Sequence, residues 1–215
     1  MATITQSNTD NFLTWQKVNG VLPLSRLQSM GLPTCSIGFN LSDVIYHQDV
    51  NVNSDNTEPK SIFWSSDGLN FYFVGSNPSG MLYQKTVGTA YNINTVIATQ
   101  SEDNSTEDSL PIDVRFNSDG TTCYISGAAN KKVFQYTLST AWDISTMVYA
   151  SKSLDVTGQT ATLLGFCIDE GSNIYVSGAS EIYQYSLTGG DLSTGSFVDS
   201  LPITADSTVY SMYWR

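Results

Sequence analysis

The chain repeats itself three times with a period close to 51 residues, and that period limits what it can fold into more than any other property. The centre copy, from Pro111 to Leu154, reads PIDVRFNSDG, TTCYISGAANKK, VFQYTLSTAWDIST, MVYASKSL. The copy before it begins at Pro59 and reads PKSIFWSSDG, LNFYFVGSNPSG, MLYQKTVGTAYNINT, VIATQS. The copy after it reads LLGFCIDEG, SNIYVSGAS, EIYQYSLTGGDLST, GSFVDSL. Asp67-Gly68, Asp119-Gly120 and Glu170-Gly171 lie 52 and then 51 residues apart, and Gly75, Gly127 and Gly178 keep the same spacings. Gln84, Gln135 and Gln184 follow at 51 and 49. Three landmarks on one period define a repeat architecture, which has to be settled before any local prediction.

Each copy holds four short runs rich in Val, Ile, Tyr, Phe and Thr, separated by Gly, Asn, Asp and Ser, which is strand composition bounded by turn composition. The first runs (61–64, 113–116, 165–168) end at Ser-Asp-Gly or Asp-Glu-Gly, where glycine supplies the positive φ of a tight hairpin. Second runs (70–74, 122–126, 173–177) end on a glycine. The third carry Tyr83-Gln84, Phe134-Gln135 and Tyr183-Gln184, and the fourth follow an Asn-Ile-Asn-Thr, Asp-Ile-Ser-Thr or Asp-Leu-Ser-Thr turn. Four antiparallel strands in roughly 40–50 residues make one blade of a β-propeller. No copy has the three-and-four spacing that a helix needs.

The predicted fold is therefore all-β: a propeller or partial propeller of about 51-residue blades over 39–215, with blades at about 59–110, 111–161 and 162–207. Ahead of it, 1–38 reads as a short helical or extended anchor with its linker. Asn40-Leu41-Ser42-Asp43 and Val44-Ile45-Tyr46 match the last turn and fourth strand of a unit, and Tyr210 to Trp214 match a first strand. Three blades fall short of the usual four to eight. The expectation is that the chain is part of a longer one, with ring closure across subunits as the other route.

Charge bounds the partners. Nine basic residues against 20 acidic give a net charge of −11, which repels nucleic-acid phosphates and anionic membranes. The N-terminus has no secretory signal pattern, and no run approaches the roughly 20 apolar residues of a membrane-spanning helix. Cys35, Cys123 and Cys167 are widely spaced and odd in number, which argues against a disulfide framework.

Catalytic constellations are missing from the pattern. The single histidine, His47, sits in the lone fourth strand and reads as a cross-strand polar residue. No Ser lies in a nucleophile elbow, and no Cys/His cluster has zinc spacing. Glu102, Asp103, Glu107 and Asp108 form the densest carboxylate group; hard oxygen ligands suit Ca²⁺, but without the alternating order of a calcium loop they read as a solvated acidic loop. Asp67, Asp119 and Glu170 share one turn position and read as turn formers. Tyr91 and Trp142, 51 apart, invite a sugar-stacking reading, yet a position filled by repetition reads as packing between blades. No cofactor or metal is expected.

Within the anchor, Ser7 to Asp10 offer capping side chains ahead of a two-turn helix over 11–20. Phe12, Trp15 and Val18 would share one face, with Gly20 as the stop. So short a helix needs a partner to bury that face. It either packs on the blades or docks the chain into a larger assembly.

The leader Asp10-x-Phe12-x-x-Trp15-x-x-x-Asn19, after its Thr/Ser/Asn-rich start, resembles the leaders of tailed-bacteriophage virion proteins, in particular tail-fibre and capsid-fibre proteins. The repeat containing Tyr136 to Thr146 is similar to propeller-type repeats of phage structural proteins. The resemblance implies a non-enzymatic virion protein. Its leader, through Phe12, Trp15 and Val18, would bind other virion proteins (capsid, portal or tail). Its blades would form a homo-oligomer or meet a glycan or protein of the host surface. Two rival readings are a polysaccharide-degrading tail depolymerase and a cellular propeller that serves as an interaction scaffold.

Overall fold

The computed structural model describes residues 3–6, 13–16, 49–169 and 171–203. It divides into two compact units, Met1–His47 and Gln48–Arg215.

In the first unit, β1 (Thr3–Gln6) pairs antiparallel with β2 (Leu13–Gln16), placing Thr3 opposite Gln16 and Ile4 opposite Trp15. This corrects the helix expected over 11–20. Leu-Thr-Trp-Gln alternates apolar and polar as a strand does, the run from Ser7 to Phe12 is rich in turn formers, and an isolated two-turn helix cannot offset its nucleation cost. Phe12, Val18 and His47 lie outside the described residues, as do the segments matched to a fourth strand at 44–46 and a first strand at 210–214.

The second unit carries the repeat as three four-stranded antiparallel sheets in simple up-and-down order. Sheet 1 is β3 (Pro59–Trp64), β4 (Asn70–Gly75), β5 (Met81–Val87) and β6 (Val96–Asp103). Sheet 2 is β7 (Pro111–Phe116), β8 (Thr122–Gly127), β9 (Lys132–Leu138) and β10 (Met147–Asp155). Sheet 3 is β11 (Gly165–Ile168), β12 (Asn173–Ser177), β13 (Glu181–Thr188) and β14 (Asp191–Pro202). These are β-propeller blades; the predicted first and second runs coincide with the first two strands of each sheet to within two residues at either end, and the Tyr-Gln or Phe-Gln pairs fall in the third strands.

The continuous apolar run Phe71-Tyr72-Phe73-Val74 is buried on both faces: Tyr72 and Val74 against sheet 2, and Phe71 and Phe73 in a cluster with Tyr83, Val87, Val50 and Val52. Alternate residues serve opposite faces. The rear face of sheet 1 (Tyr72, Val74, Leu82) packs against the front face of sheet 2 (Val114, Phe116, Cys123, Ile125). The rear face of sheet 2 (Tyr124, Val133, Leu154, Val156) packs likewise against Phe166, Ile174 and Val176 of sheet 3.

The tight turns behave as their sequence requires. Gly68 and Gly120 take φ of 71° and 73°. Asp67 Oδ1 accepts from the Leu69 N–H, and Asp119 Oδ1 from the Thr121 N–H, which makes both the turn formers they were expected to be. Glu170, their expected counterpart, lies outside the described residues. In that turn Asp169 Oδ1 accepts the N–H groups of Ser172 and Asn173 instead.

Candidate functional site

Of the three predicted anchor residues, the structure describes only Trp15, in β2 opposite Ile4. Phe12 and Val18 lie outside the described residues. Within the blades, buried polar chemistry concentrates where one sheet meets the next.

The innermost strands β3, β7 and β11 meet at a single carboxylate. Asp113 Oδ1 accepts from the Ser61 hydroxyl of sheet 1 at 2.5 Å, from the Val114 N–H, and from Arg115 Nη1 at 3.0 Å. Its Oδ2 accepts the Phe166 N–H of sheet 3 at 3.3 Å. One side chain thus holds three sheets together. Burial raises the Asp113 pKa above the ordinary carboxylate value, and the Arg115 charge and the donated hydrogen bonds only partly oppose it. Every donor aimed at Asp113 belongs to the scaffold, so the group serves structure.

Further out, the repeated glutamine proves to be a latch. Gln84 Oε1 accepts the backbone N–H of Ile144, at the head of the 3-10 turn Ile144–Thr146 of sheet 2, at 3.0 Å. Gln135 Oε1 accepts the N–H of Leu192 of sheet 3, also at 3.0 Å. A neighbouring tyrosine repeats the same step: Tyr72 donates its hydroxyl to the Trp142 carbonyl, and Tyr124 donates to that of Gly190. The glutamines were legible as landmarks of the period, but nothing in their spacing gave their partner.

A third series escaped the sequence reading. Asn56, Asp108 and Thr160 stand 52 apart in the loops leading into the three blades, and all three are buried. Asp108 Oδ1 accepts the Leu110 N–H and Oδ2 the Asn130 N–H, while Asn56 Oδ1 accepts the Glu58 N–H. Each lies against one of the landmark glycines: Asn56 on Gly75, Asp108 on Gly127, Thr160 on Gly178. These glycines are required by close approach rather than by positive φ. The regular 52-residue interval was the signal that could have found the series.

The acidic group expected as a solvated loop is therefore divided. Glu102 and Asp103 end strand β6, Asp103 Oδ1 accepts the Ser105 N–H, and Asp108 is buried in its loop. Among the described residues no group of three or more His, Cys, Asp or Glu side chains could hold a metal ion. Cys123 and Cys167 are free and buried in β8 and β11, and burial pushes the Cys167 thiol up to about 11, far from a reactive thiolate.

The two aromatic positions separate. Trp142 stacks between sheets, with ring centroids 5.5 Å from Phe116 and 6.4 Å from Phe63, as the packing reading expects. Tyr91 lies across Gly68, 5.4 Å from Trp64, and remains 61% exposed. Both take left-handed backbone (φ 58° and 66°), and Gly190 holds the same position in sheet 3 at φ 72°. Glycine replaces the aromatic where that conformation costs it nothing.

No protein-family model matches the chain, and no curated protein matches it. Solved structures do match. The periplasmic gluconolactonase PpgL of Pseudomonas aeruginosa superposes with a TM-score of 0.51 at 12% identity, covering 67% of this chain and 40% of that one. The β-propeller domain of Cps50 (Swd1) from Myceliophteria thermophila gives a TM-score of 0.44 at 12% identity, covering 67% and 43%. This chain spans about two fifths of the length of both. At such identity the likeness speaks for the fold alone.

Proposed function

We propose that the protein is a structural and attachment module of a bacteriophage virion, a fibre-like appendage whose N-terminal segment anchors it and whose blades are displayed. The observation that supports a scaffold over a catalyst is Asp113. The Asp113 carboxylate, whose pKa burial raises, is bonded to three sheets at once and has no side open to a substrate. Polar groups drawn into the blades are used to join them, which suits a rigid display platform. A net charge of −11 on a surface with few other charges favours solubility over nucleic-acid contact. The virion assignment itself is supported by the resemblance of the leader around Phe12 and Trp15 and of the repeat around Trp142.

Peptide mass spectrometry of gradient-purified particles tests this reading. The protein is expected in the particles, and the Phe12→Ala/Trp15→Ala double variant is expected to be lost from them. Absence of the wild-type protein would end the virion reading, and normal incorporation of the double variant would end the anchor assignment. Incubating the purified protein with host-surface polysaccharide is expected to release no reducing sugar. Release that a single Asp or Glu substitution abolishes would favour the depolymerase.

A further inference from the structure

We propose that Glu107 is a strap poised to close on sheet 2: its side chain turns inward, accepts the buried hydroxyl of Tyr136 and ties the loop 104–108 to strand β9. The equivalent tie is already made in the two flanking sheets, while sheet 2 holds the same parts unjoined.

Each blade is entered through the same turn. The N–H groups of Asp55 and Asn56 donate to the Val52 carbonyl, those of Glu107 and Asp108 to that of Asn104, and those of Gln159 and Thr160 to that of Val156. Asp55, Glu107 and Gln159 stand 52 residues apart, one position before the buried series Asn56, Asp108 and Thr160. A common turn launches their side chains from a common place. In the third strand of each sheet, Lys85, Tyr136 and Tyr185 directly follow the repeated glutamines and so serve the opposite face.

The two series meet in sheet 1 as the ion pair of Lys85 with Asp55, at 2.6 Å. They meet in sheet 3 as a hydrogen bond, in which the Tyr185 hydroxyl donates to Gln159 Oε1 at 2.9 Å. Sheet 2 places Glu107 and Tyr136 at these positions. Glutamate and glutamine have the same length and both present an Oε1 acceptor, so the contact of Gln159 shows that Glu107 can reach a tyrosine from this turn. Yet the Tyr136 hydroxyl is one of three buried side-chain polar atoms without a partner among the described residues, the others being Gln100 Oε1 and Ser126 Oγ. The half-buried Glu107 carboxylate meets no donor among them either, although its backbone carbonyl is held by Asn130 Nδ2 at 2.7 Å.

The two unmatched groups are complementary. Burial pushes the Tyr136 phenol far above its ordinary pKa, and the Glu107 charge adds to this, so the hydroxyl keeps its proton and can donate it. A buried hydroxyl without a partner loses its hydration uncompensated, and a hydrogen bond to a carboxylate is the stronger kind. Since Asn130 and the turn at Asn104 already hold the loop backbone, rotation about the Glu107 side-chain bonds is enough to close the strap. Closure fixes the loop that carries Asp108 against Gly127.

A double-mutant cycle by urea unfolding of the full chain tests the strap. Tyr136→Phe and Glu107→Ala should each raise the unfolding constant about tenfold, and the double variant should raise it little further than either alone. Glu107→Gln makes the pair chemically the same as Gln159 with Tyr185 and should recover most of the loss. The cycle of Gln159→Ala with Tyr185→Phe, whose hydrogen bond is present, gives the reference coupling. Should a variant fail to fold, nuclear magnetic resonance of the wild-type chain decides: the Tyr136 hydroxyl proton should exchange slowly and show a through-space contact to the Glu107 methylene protons. Tyr136→Phe as stable as wild type, or more stable, overturns the proposal, because removing an unpaired buried hydroxyl costs nothing. Additive effects of the two substitutions also overturn it and assign the hydroxyl to a buried water. Failure of Glu107→Gln to restore stability, or absence of the through-space contact, overturns it as well.

Discussion

Gly127 lies so close to the side chain of Asp108 that a Cβ at Gly127 would stand 2.1 Å from its Cγ and 2.3 Å from its Oδ2. Asp108 cannot retreat, because its two oxygens hold the N–H groups of Leu110, Ala129 and Asn130. Gly127→Ala should therefore cost about 2–4 kcal/mol, combining overpacking with the loss of buried hydrogen bonds. Gly158→Ala, where an added Cβ meets nothing within 4 Å, should change stability by less than about 0.5 kcal/mol. Urea unfolding of the two variants checks the pair, and equal effects would remove the close-approach explanation.

The glutamine latch predicts a cost set by what it leaves behind. Gln84→Leu preserves volume but strands the buried N–H of Ile144, and should destabilise the chain by about 1–3 kcal/mol. Gln135→Leu should behave alike through Leu192. Hydrogen exchange supplies the specific readout: the Ile144 and Leu192 amides should lose protection in their respective variants and only there.

The pH dependence has two opposed parts. Asp113 has its folded pKa raised, chiefly by burial, so its protonated form is favoured in the fold; ionising it begins to cost stability as pH rises above the ordinary 3.8. Asp67 and Asp119 have folded values lowered, chiefly by hydrogen bonds from Ser65 and Thr121. Their contribution is present above 3.8 and is lost as pH falls through the folded value. The stability of wild type relative to Asp113→Asn should thus decline as pH rises from 3.8, while that of wild type relative to Asp67→Asn should decline as pH falls below it. A flat difference for Asp113→Asn would show that the carboxylate is not desolvated in solution.

Lys85 and Asp55 form a largely buried ion pair at 2.6 Å, and Lys85 also donates to Thr99. Asp55→Ala leaves a buried ammonium uncompensated and should cost about 3 kcal/mol or more, whereas Lys85→Met, which replaces the charge by an apolar stem, should cost less. Thermal unfolding of both variants orders them, and the reverse order would mean that Thr99 and solvent suffice for Lys85.

The aromatic pair offers a contrast within one repeat position. Trp142→Ala removes a ring packed among Phe63, Tyr72 and Phe116 and should cost about 3–5 kcal/mol. Tyr91→Ala removes an exposed ring and should cost about 1 kcal/mol or less. Scanning calorimetry distinguishes these. A large loss from Tyr91→Ala would mean that Tyr91 is packed in solution.

The sequence by itself determined the period, the four strands in each unit and the glycine-bearing turns. Each of these depends on backbone conformation and on which residues alternate between faces, and both are written within a few consecutive positions. Thus β11 and β12 have the predicted bounds, and Gly68 and Gly120 take the positive φ their turns demand. Short segments without the repeat were less legible: Leu13–Gln16 fits strand or helix on local spacing, and pairing with Thr3–Gln6 decided for strand. Only the tertiary structure assigned the polar residues. The partners of Gln84, Asp113 and Tyr72 lie 60, 53 and 70 residues away, on adjacent sheets. Whether Asp108 faces water or caps three amides depends on how its loop folds over Gly127. Such pairings follow from how one sheet seats on the next, a relation between separate stretches of chain that no local pattern encodes.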